Sequence, residues 1–544
     1  MKRFLNKKII LLLAIFLVFF STSAFNSNFF EIAKQIEIFT TMFKELNMNY
    51  VDDTNPGDLM DVAIKSMLGE LDPYTRFYNE QDVQSSRINN AGDYTGIGAN
   101  VRTMKDKLVI VEPYKDYAAD KAGLKAGDEI IKIDNINITD FEDDAGNLLQ
   151  GTPGSKITLT YKRQGKINTT NVIRESLEIN AVPHYSMINE DTGYIVLRKF
   201  NKKASSQTIK ALSSLKNLGA KNIILDLRGN PGGLLNEAVN IVNIFVPKGQ
   251  LVVTTKSKVK KYNKTYYTQR EPIDLDIPVV VLINGRSASA SEIVSGALQD
   301  LDRCVVVGSR SFGKGLVQRP KPLTYGTQMK ITISRYYTPS GRCIQALDYW
   351  NRDEKGNATR TRKENYKAFK TKKGRSVFDG GGVQPDIEIA ESKQTPISKA
   401  ITDENLIFDF ATDYYYKNQI TDFNEYEFLE NDFQKFKTFL NLNNFNFETK
   451  TQKAFENAIQ IAEEEELDTS ISLEYNKLVS ALERYKTSAV NRNKEKLSAL
   501  IRDEIIKRYF YSEGLYEYYK ANNPEIKKAI YILSDPSEYN KVLK

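Results

Sequence analysis

Two short turns carry the residue types that could do covalent chemistry. Val279 to Glu292 reads VVVLINGRSASASE, an apolar run and a Gly-Arg break followed by small hydroxyl residues that open a helix. A serine at such a junction can act as a nucleophile if a base lies within hydrogen-bond reach and preorganised donors face the charge that develops. The first amides of a helix supply part of the second need, because they lack intrahelical acceptors and carry partial positive charge. Ser289 is the candidate, with the Ala290 amide beside it. The same text, Ser289-Ala290-Ser291-Glu292, is also a capping box in which the serine hydroxyl caps the helix and the glutamate reaches back. This stretch alone leaves nucleophile and cap equally open.

Lys314, 25 positions later, is the candidate base. It stands in GSRSFGKG at 308–315, after the apolar run from Cys304 to Val307, a spacing close to that of a phosphate-binding loop. Gly315 replaces the hydroxyl residue that would hold Mg²⁺, and Pro320 and Pro322 fall where the following helix would have to run, so nucleotide binding is set aside. A lysine on a glycine-flanked turn beside apolar residues can be desolvated and serve as a neutral base. Gln318 is placed to orient it. A third stretch, IILDLRGNPGG at 223–233, takes a buried strand into a glycine-rich bend suited to presenting backbone amides to an oxyanion. The nucleophile elbow of α/β hydrolases is not met, since GRSAS at 285–289 ends in serine where glycine is needed.

Composition narrows the chemistry further. The chain has one histidine, His184, in the segment VPHYS, so a Ser-His-Asp triad would rest on a residue better suited to a structural role. With Cys304 and Cys343 as the two cysteines, no zinc cluster can be assembled, and neither a metal nor another cofactor is expected. Both cysteines lie in strand-like text, where one bridge and two buried thiols are both open. A net charge of +7 over 544 residues, without basic runs interleaved with aromatics, gives no nucleic-acid surface. The 41% hydrophobic and 27% charged content is that of a globular protein, and the length calls for several domains.

The elements that must position these turns follow in chain order. Residues 1–24 have the charged, apolar and small-residue order of a secretory signal, with Lys2, Arg3, Lys7 and Lys8 before the run from Ile9 to Phe20. Export to the periplasm or the outer face of the cell membrane is expected, and a retained anchor, hence membrane association, is the alternative. Residues 25–90 have helical spacing. Over 91–180 the texture is of short strands and turns, with strands at Leu108–Val111, Glu129–Ile133 and Lys156–Tyr161. Thr95-Gly96-Ile97-Gly98 is not a dinucleotide loop, since Val101 stands where a third glycine is required; its exposed amides suit a peptide's terminal carboxylate. Over 181–390 strands at Tyr194–Leu197, Asn222–Leu227, Val279–Ile283 and Cys304–Val307 alternate with helices at Ser206–Leu218, Leu235–Ile244 and Ser289–Leu301, a layered α/β pattern whose ligands gather where strands run into helices. Residues 391–544 read as a helical extension, with stripes such as Leu478, Leu482 and Tyr485.

The motifs taken together resemble the carboxy-terminal processing peptidases, or tail-specific proteases. These are LDPY from Leu71, AADKAGLKAGDEI from Ala118, LDLRGNPGG from Leu225, SASASE from Ser287, FGKGLVQ from Phe312, YYTPSGRCIQ from Tyr336 and GGVQPDIEI from Gly381, in that order over about residues 30–390. The resemblance implies a multidomain α/β protein: a PDZ domain, a protease core related to the crotonase and Clp folds, an N-terminal helical segment and a C-terminal helical extension. It implies a serine endopeptidase acting through a Ser289–Lys314 dyad with Gln318 as orienting partner. The oxyanion hole would be the amides of Ala290 and of Gly232 or Gly233, and the substrate tail would bind at Thr95 to Gly98. Protein substrates with exposed C-terminal tails are the implied partners. Adaptor docking or self-association through 391–544 is a further expectation, and a binding scaffold without catalysis is the rival reading.

Overall fold

The computed structural model describes residues 29–140, 145–354, 356–390 and 394–544. The signal or anchor expected over residues 1–24 lies outside the described residues. The chain divides into two compact units, one made of the chain up to Asn79 with Pro320–Ile331, the other of Glu80–Arg319 with Thr332–Lys544.

In the first unit, residues 29–49 are helical and the helix Pro56–Gly69 follows. Asn55 starts that helix by accepting the Gly57 amide at 2.9 Å, and Pro56 stands at the first position, where no donor is needed. Asp72 of the Leu-Asp-Pro-Tyr stretch reverses the chain by accepting the Tyr74 and Thr75 amides at 2.8 and 2.9 Å. The strand Arg76–Tyr78 then pairs antiparallel with residues 328–330.

The second unit contains a six-stranded antiparallel sheet whose main path runs β1 (Ala99–Met104), β2 (Lys107–Pro113), β3 (Glu129–Ile133), β4 (Lys156–Arg163) and β5 (Lys166–Ile173), with the short strand Ile136–Asn137 paired to β3 beside that path. Alternation along the strands sends Leu108, Ile110, Ile130, Ile157 and Leu159 into one apolar core. β1 lies at the edge of this sheet and so offers a backbone to which an extended chain could add.

The central sheet has six strands in the order β6 (His184–Met187), β7 (Thr192–Val196), β8 (Asn222–Asp226), β9 (Val279–Ile283), β10 (Val305–Gly308) and β11 (Ile387–Glu388). β6 runs antiparallel to β7, and the other neighbours are parallel. Parallel strands are covered on both faces, which is why their text is continuously apolar. One set of side chains, including Ile195, Leu225, Val281 and Val306, packs against α1 (Ala204–Asn217), α2 (Leu235–Phe245) and α3 (Ala290–Asp300).

The alternate set, including Tyr194, Ile224, Val280 and Val305, packs against the end of the chain. There α4 (Lys494–Asn522) is followed by α5 (Pro524–Ser534), which contributes Ile526, Ala529, Ile532 and Leu533, and α6 (Pro536–Val542), which contributes Tyr539. The helical extension expected over 391–544 is present. Its last helices also form the second covering layer of the central sheet, which the sequence did not show because helical periodicity marks a face as apolar without saying what it covers. The preceding helices enclose an apolar core of their own around Ile401, Phe410, Phe433, Phe436 and Ile505.

Candidate active site

Ser289 ends the turn between β9 and α3 and stands at the N-cap of that helix. Its backbone lies at φ 56° and ψ −110°, a conformation that costs a non-glycine residue about 1–3 kcal/mol and persists only where surrounding bonds hold it. Those bonds are present. The Ser289 amide donates to Glu292 Oε2 at 2.8 Å, and the Ser289 carbonyl accepts the Glu292 and Ile293 amides at 2.9 Å each and the Tyr336 hydroxyl at 3.2 Å. The glutamate half of the capping box is therefore made. The serine half is not: the Ser289 side chain makes no cap bond. The hydroxyl, on a half-buried residue, is left to other work.

Glu292 is fully buried and its carboxylate does more than reach back. Oε2 also accepts the Lys314 amide at 2.9 Å, while Oε1 accepts the Gly313 amide at 2.7 Å and the Ser311 hydroxyl at 2.5 Å. One oxygen thus receives the main-chain amides of both Ser289 and Lys314, and the two turns are fixed side by side. Burial pushes the Glu292 carboxyl above its ordinary value, and the four donors pull against that push.

The other motifs converge on the same place. Gly315, next to Lys314, donates its amide to Gln345 Oε1 at 2.7 Å and accepts the Tyr336 amide at 2.9 Å, while Val383 donates to Ser311 Oγ at 2.6 Å. Gly313 has φ 90°, and an added Cβ would lie 2.4 Å from that of Ala346, so the turn before Lys314 admits no side chain there. Gln318 donates to Thr332 Oγ1 at 3.1 Å, which fixes its amide beside the neighbouring strand.

The glycine-rich bend is stitched to the Ser289 turn by Asn230, itself fully buried. Its carbonyl accepts the Ala288 amide at 3.0 Å and the Ser291 hydroxyl at 2.9 Å, and its side chain donates to the Leu197 carbonyl at 2.8 Å. Asn230 Oδ1 accepts the Gly232 amide at 2.9 Å, so that amide is already occupied. Gly232 has φ 97°, and a Cβ there would stand 2.7 Å from the Ala288 carbonyl oxygen and 2.8 Å from the Ala290 nitrogen. The Ala290 and Gly233 amides have no acceptor among the described residues.

Sequence reasoning missed the reach of Glu292 to the Lys314 turn and the roles of Asn230, Tyr336 and Gln345. All four lie inside motifs that signalled resemblance, but no local rule connects residues so far apart in the chain. His184 lies elsewhere, 3.0 Å from Ser186 Oγ and 3.3 Å from Glu517, with burial lowering its pKa. Cys304 and Cys343 are both unpaired thiols.

In the small β module, Thr95 and Gly96 end the strand Asp93–Gly96. Ile97 points into the module core, and its carbonyl accepts the Ala119 amide at 2.7 Å. Gly98, at φ 74°, accepts the Tyr114 amide at 2.8 Å and leads into β1. The Tyr94 phenol lies over Gly96, where a Cβ would be 2.1 Å from its oxygen, and burial pushes its pKa up to about 12.

The model of peptidase family S41 matches residues 191–349, that of the PDZ domain residues 95–173, and that of the probable PDZ-protease C-terminal helical domain residues 397–533. The carboxy-terminal-processing protease of Bartonella bacilliformis is 36% identical over 324 residues, covering 58% of this chain and 73% of that protein. A probable CtpA-like serine protease of Staphylococcus haemolyticus is 30% identical over 370 residues, covering 67% of this chain and 66% of that protein. Among solved structures, a photosystem II D1 C-terminal processing protease matches 64% of this chain and 86% of its own at 26% identity, with a TM-score of 0.36. With its S41 protease core, PDZ domain and C-terminal helical domain, the chain belongs to the carboxy-terminal-processing serine proteases.

Proposed function

We propose that this protein is an exported endopeptidase that takes hold of substrate tails through its PDZ domain and cleaves them with Ser289 as nucleophile and Lys314 as general base. Lys314 accepts the Ser289 hydroxyl proton as Oγ bonds to the scissile carbonyl carbon. The proton then passes to the leaving amine as the peptide bond breaks, and water releases the acyl group by the same steps. Gln318 helps to orient Lys314. The oxyanion rests on the Ala290 and Gly233 amides; Gly232, its own amide occupied, leaves space for the Ser289 turn. The tail carboxylate sits at Thr95 to Gly98, and the tail extends along β1. Export rests on the N-terminal residue order alone.

The single observation that carries this reading is the Glu292 carboxylate, whose Oε2 accepts the amides of both Ser289 and Lys314 while the Ser289 hydroxyl is spared from capping. Ser289→Ala should abolish cleavage of an unstructured protein such as β-casein yet leave it bound, and Lys314→Ala should lower kcat at least a thousandfold with the fold intact by circular dichroism. Undiminished cleavage by either variant would overturn the corresponding role.

A further inference from the structure

Helix α4 is broken at Tyr511, whose φ of 58° and ψ of −175° are not helical. A kink of this kind has a local cause. Here the Ser512 amide, which a continuous helix would use internally, donates to Glu112 Oε1 of β2 at 2.8 Å, and the Ser512 hydroxyl donates to the same carboxylate at 2.7 Å. The Tyr511 hydroxyl donates to Asp120 Oδ1 at 2.7 Å. Gly514 completes the break, since a Cβ there would lie 2.2 Å from that of Phe510. The helix thus surrenders its own bonding to grip the PDZ domain at two carboxylates.

Beyond the kink the same helix grips the protease core. The Tyr516 hydroxyl accepts from Arg198 Nε at 3.1 Å, and Arg198 Nη1 donates to the Arg228 carbonyl. Arg228 is held from behind by the fully buried Asp226, which accepts from its Nε at 3.0 Å and its Nη2 at 2.7 Å. Its remaining arm, Nη1, reaches Asn523 Oδ1 at 2.8 Å and Glu525 Oε2 at 3.3 Å, at the junction of α4 and α5. Arg228 is the residue from which the bend Gly229–Gly233 departs. A cleft beside β1 carries Ser512, Glu513 and Tyr516 together with Arg198 and Lys199, so a tail lying along β1 would meet the helix that holds both ends.

We infer that Arg228 is a positioning residue for the glycine-rich bend, anchored by the C-terminal helical domain, and that the kink at Tyr511–Ser512 ties this anchor to the PDZ domain, so that one helix sets both the tail site and the bend. The inference rests on the proposed Ser289 chemistry and adds the regulation of that site.

A double-substitution cycle in the full-length protein tests it. Glu112→Gln acts at the PDZ end and Asn523→Ala at the bend end, each measured for kcat and KM on β-casein and for labelling of Ser289 by a fluorophosphonate. Each substitution should lower kcat at least fivefold whatever its effect on KM, and the double variant should lose no more than about twofold in kcat beyond the larger single loss. Sites far apart and independent would instead multiply their losses. Multiplied losses, or a Glu112→Gln effect confined to KM, would overturn the inference. Arg228→Lys, which keeps the charge but not the forked geometry, should itself lower kcat at least fivefold, and full retention of kcat would also count against the inference. If Glu112→Gln does not fold, Ser512→Ala replaces it, since the backbone bond to Glu112 is kept. Absence of labelling at Ser289 in the unsubstituted protein would bring down the nucleophile assignment and the inference with it; normal labelling with multiplied losses would remove the inference alone.

Discussion

At the scale of single residues, the organising group is a carboxylate that takes no part in bond making. Glu292 receives four donors on two oxygens, and removing any one would leave a buried polar atom unpaired. Glutamine at this position keeps the size but turns one acceptor oxygen into a donor, so two of the four donors would then face an NH₂ group. Glu292→Gln should therefore lower kcat by about ten- to a hundredfold and destabilise the fold by roughly 1–3 kcal/mol, the cost of buried donors left unmade. Steady-state kinetics with urea unfolding will check both, and a kcat within twofold of the parent would deny Glu292 its place between the turns. Strain at Ser289 belongs to the same account: its backbone is held at φ 56° by these bonds, while its hydroxyl makes no cap bond to the helix it begins.

At the scale of elements, the central sheet was legible where the physics is local. Continuous apolar text marked Val279–Ile283 and Asn222–Leu227, and the observed strands are Val279–Ile283 and Asn222–Asp226. The helix read as Ser289–Leu301 is Ala290–Asp300, with Ser289 as its cap residue. What could not be read is how elements distant in sequence close on one another. His184–Met187 looked like lone text because an edge strand of four residues has too little period to detect. The capping box was half right for a similar reason: the pattern Ser-x-x-Glu fixes the glutamate's reach, but whether the serine hydroxyl caps depends on the Ser289 backbone, whose carbonyl also accepts the hydroxyl of Tyr336, 47 positions away. The two glycines of the bend, equivalent in the sequence, separate once Asn230 is seen to occupy the Gly232 amide. Gly232→Ala would drive a methyl group into the Ser289–Ala290 turn at under 3.0 Å, and that turn cannot yield without moving Ser289. Its kcat should fall about a hundredfold, as for loss of an oxyanion donor, while the circular dichroism spectrum holds. Activity within threefold of the parent would show that the turn tolerates displacement.

At the scale of the whole molecule, the C-terminal helices matter because a parallel sheet cannot leave a face in water. Tyr194, Ile224, Val280, Leu282 and Val307 are fully buried, and the side chains that bury them come from α5 and α6 as well as from within the sheet. A chain ended at Asn523 would uncover this apolar face, and a patch of that kind leads to association or collapse rather than to a smaller stable enzyme. The truncated chain should therefore be recovered mainly as aggregate and should not label with a serine-reactive probe. Within the full chain, Ile532, 2% exposed, offers a graded measure. Ile532→Val should cost about 1 kcal/mol and Ile532→Ala about 2–5 kcal/mol, as for methylenes removed from a packed core. The two costs should appear in the same unfolding transition that silences Ser289 labelling, since α5 and the helix that Ser289 begins cover opposite faces of the same strands. Separate transitions, with labelling surviving the loss of α5, would make the C-terminal helices a detachable addition to the protease instead of its second wall.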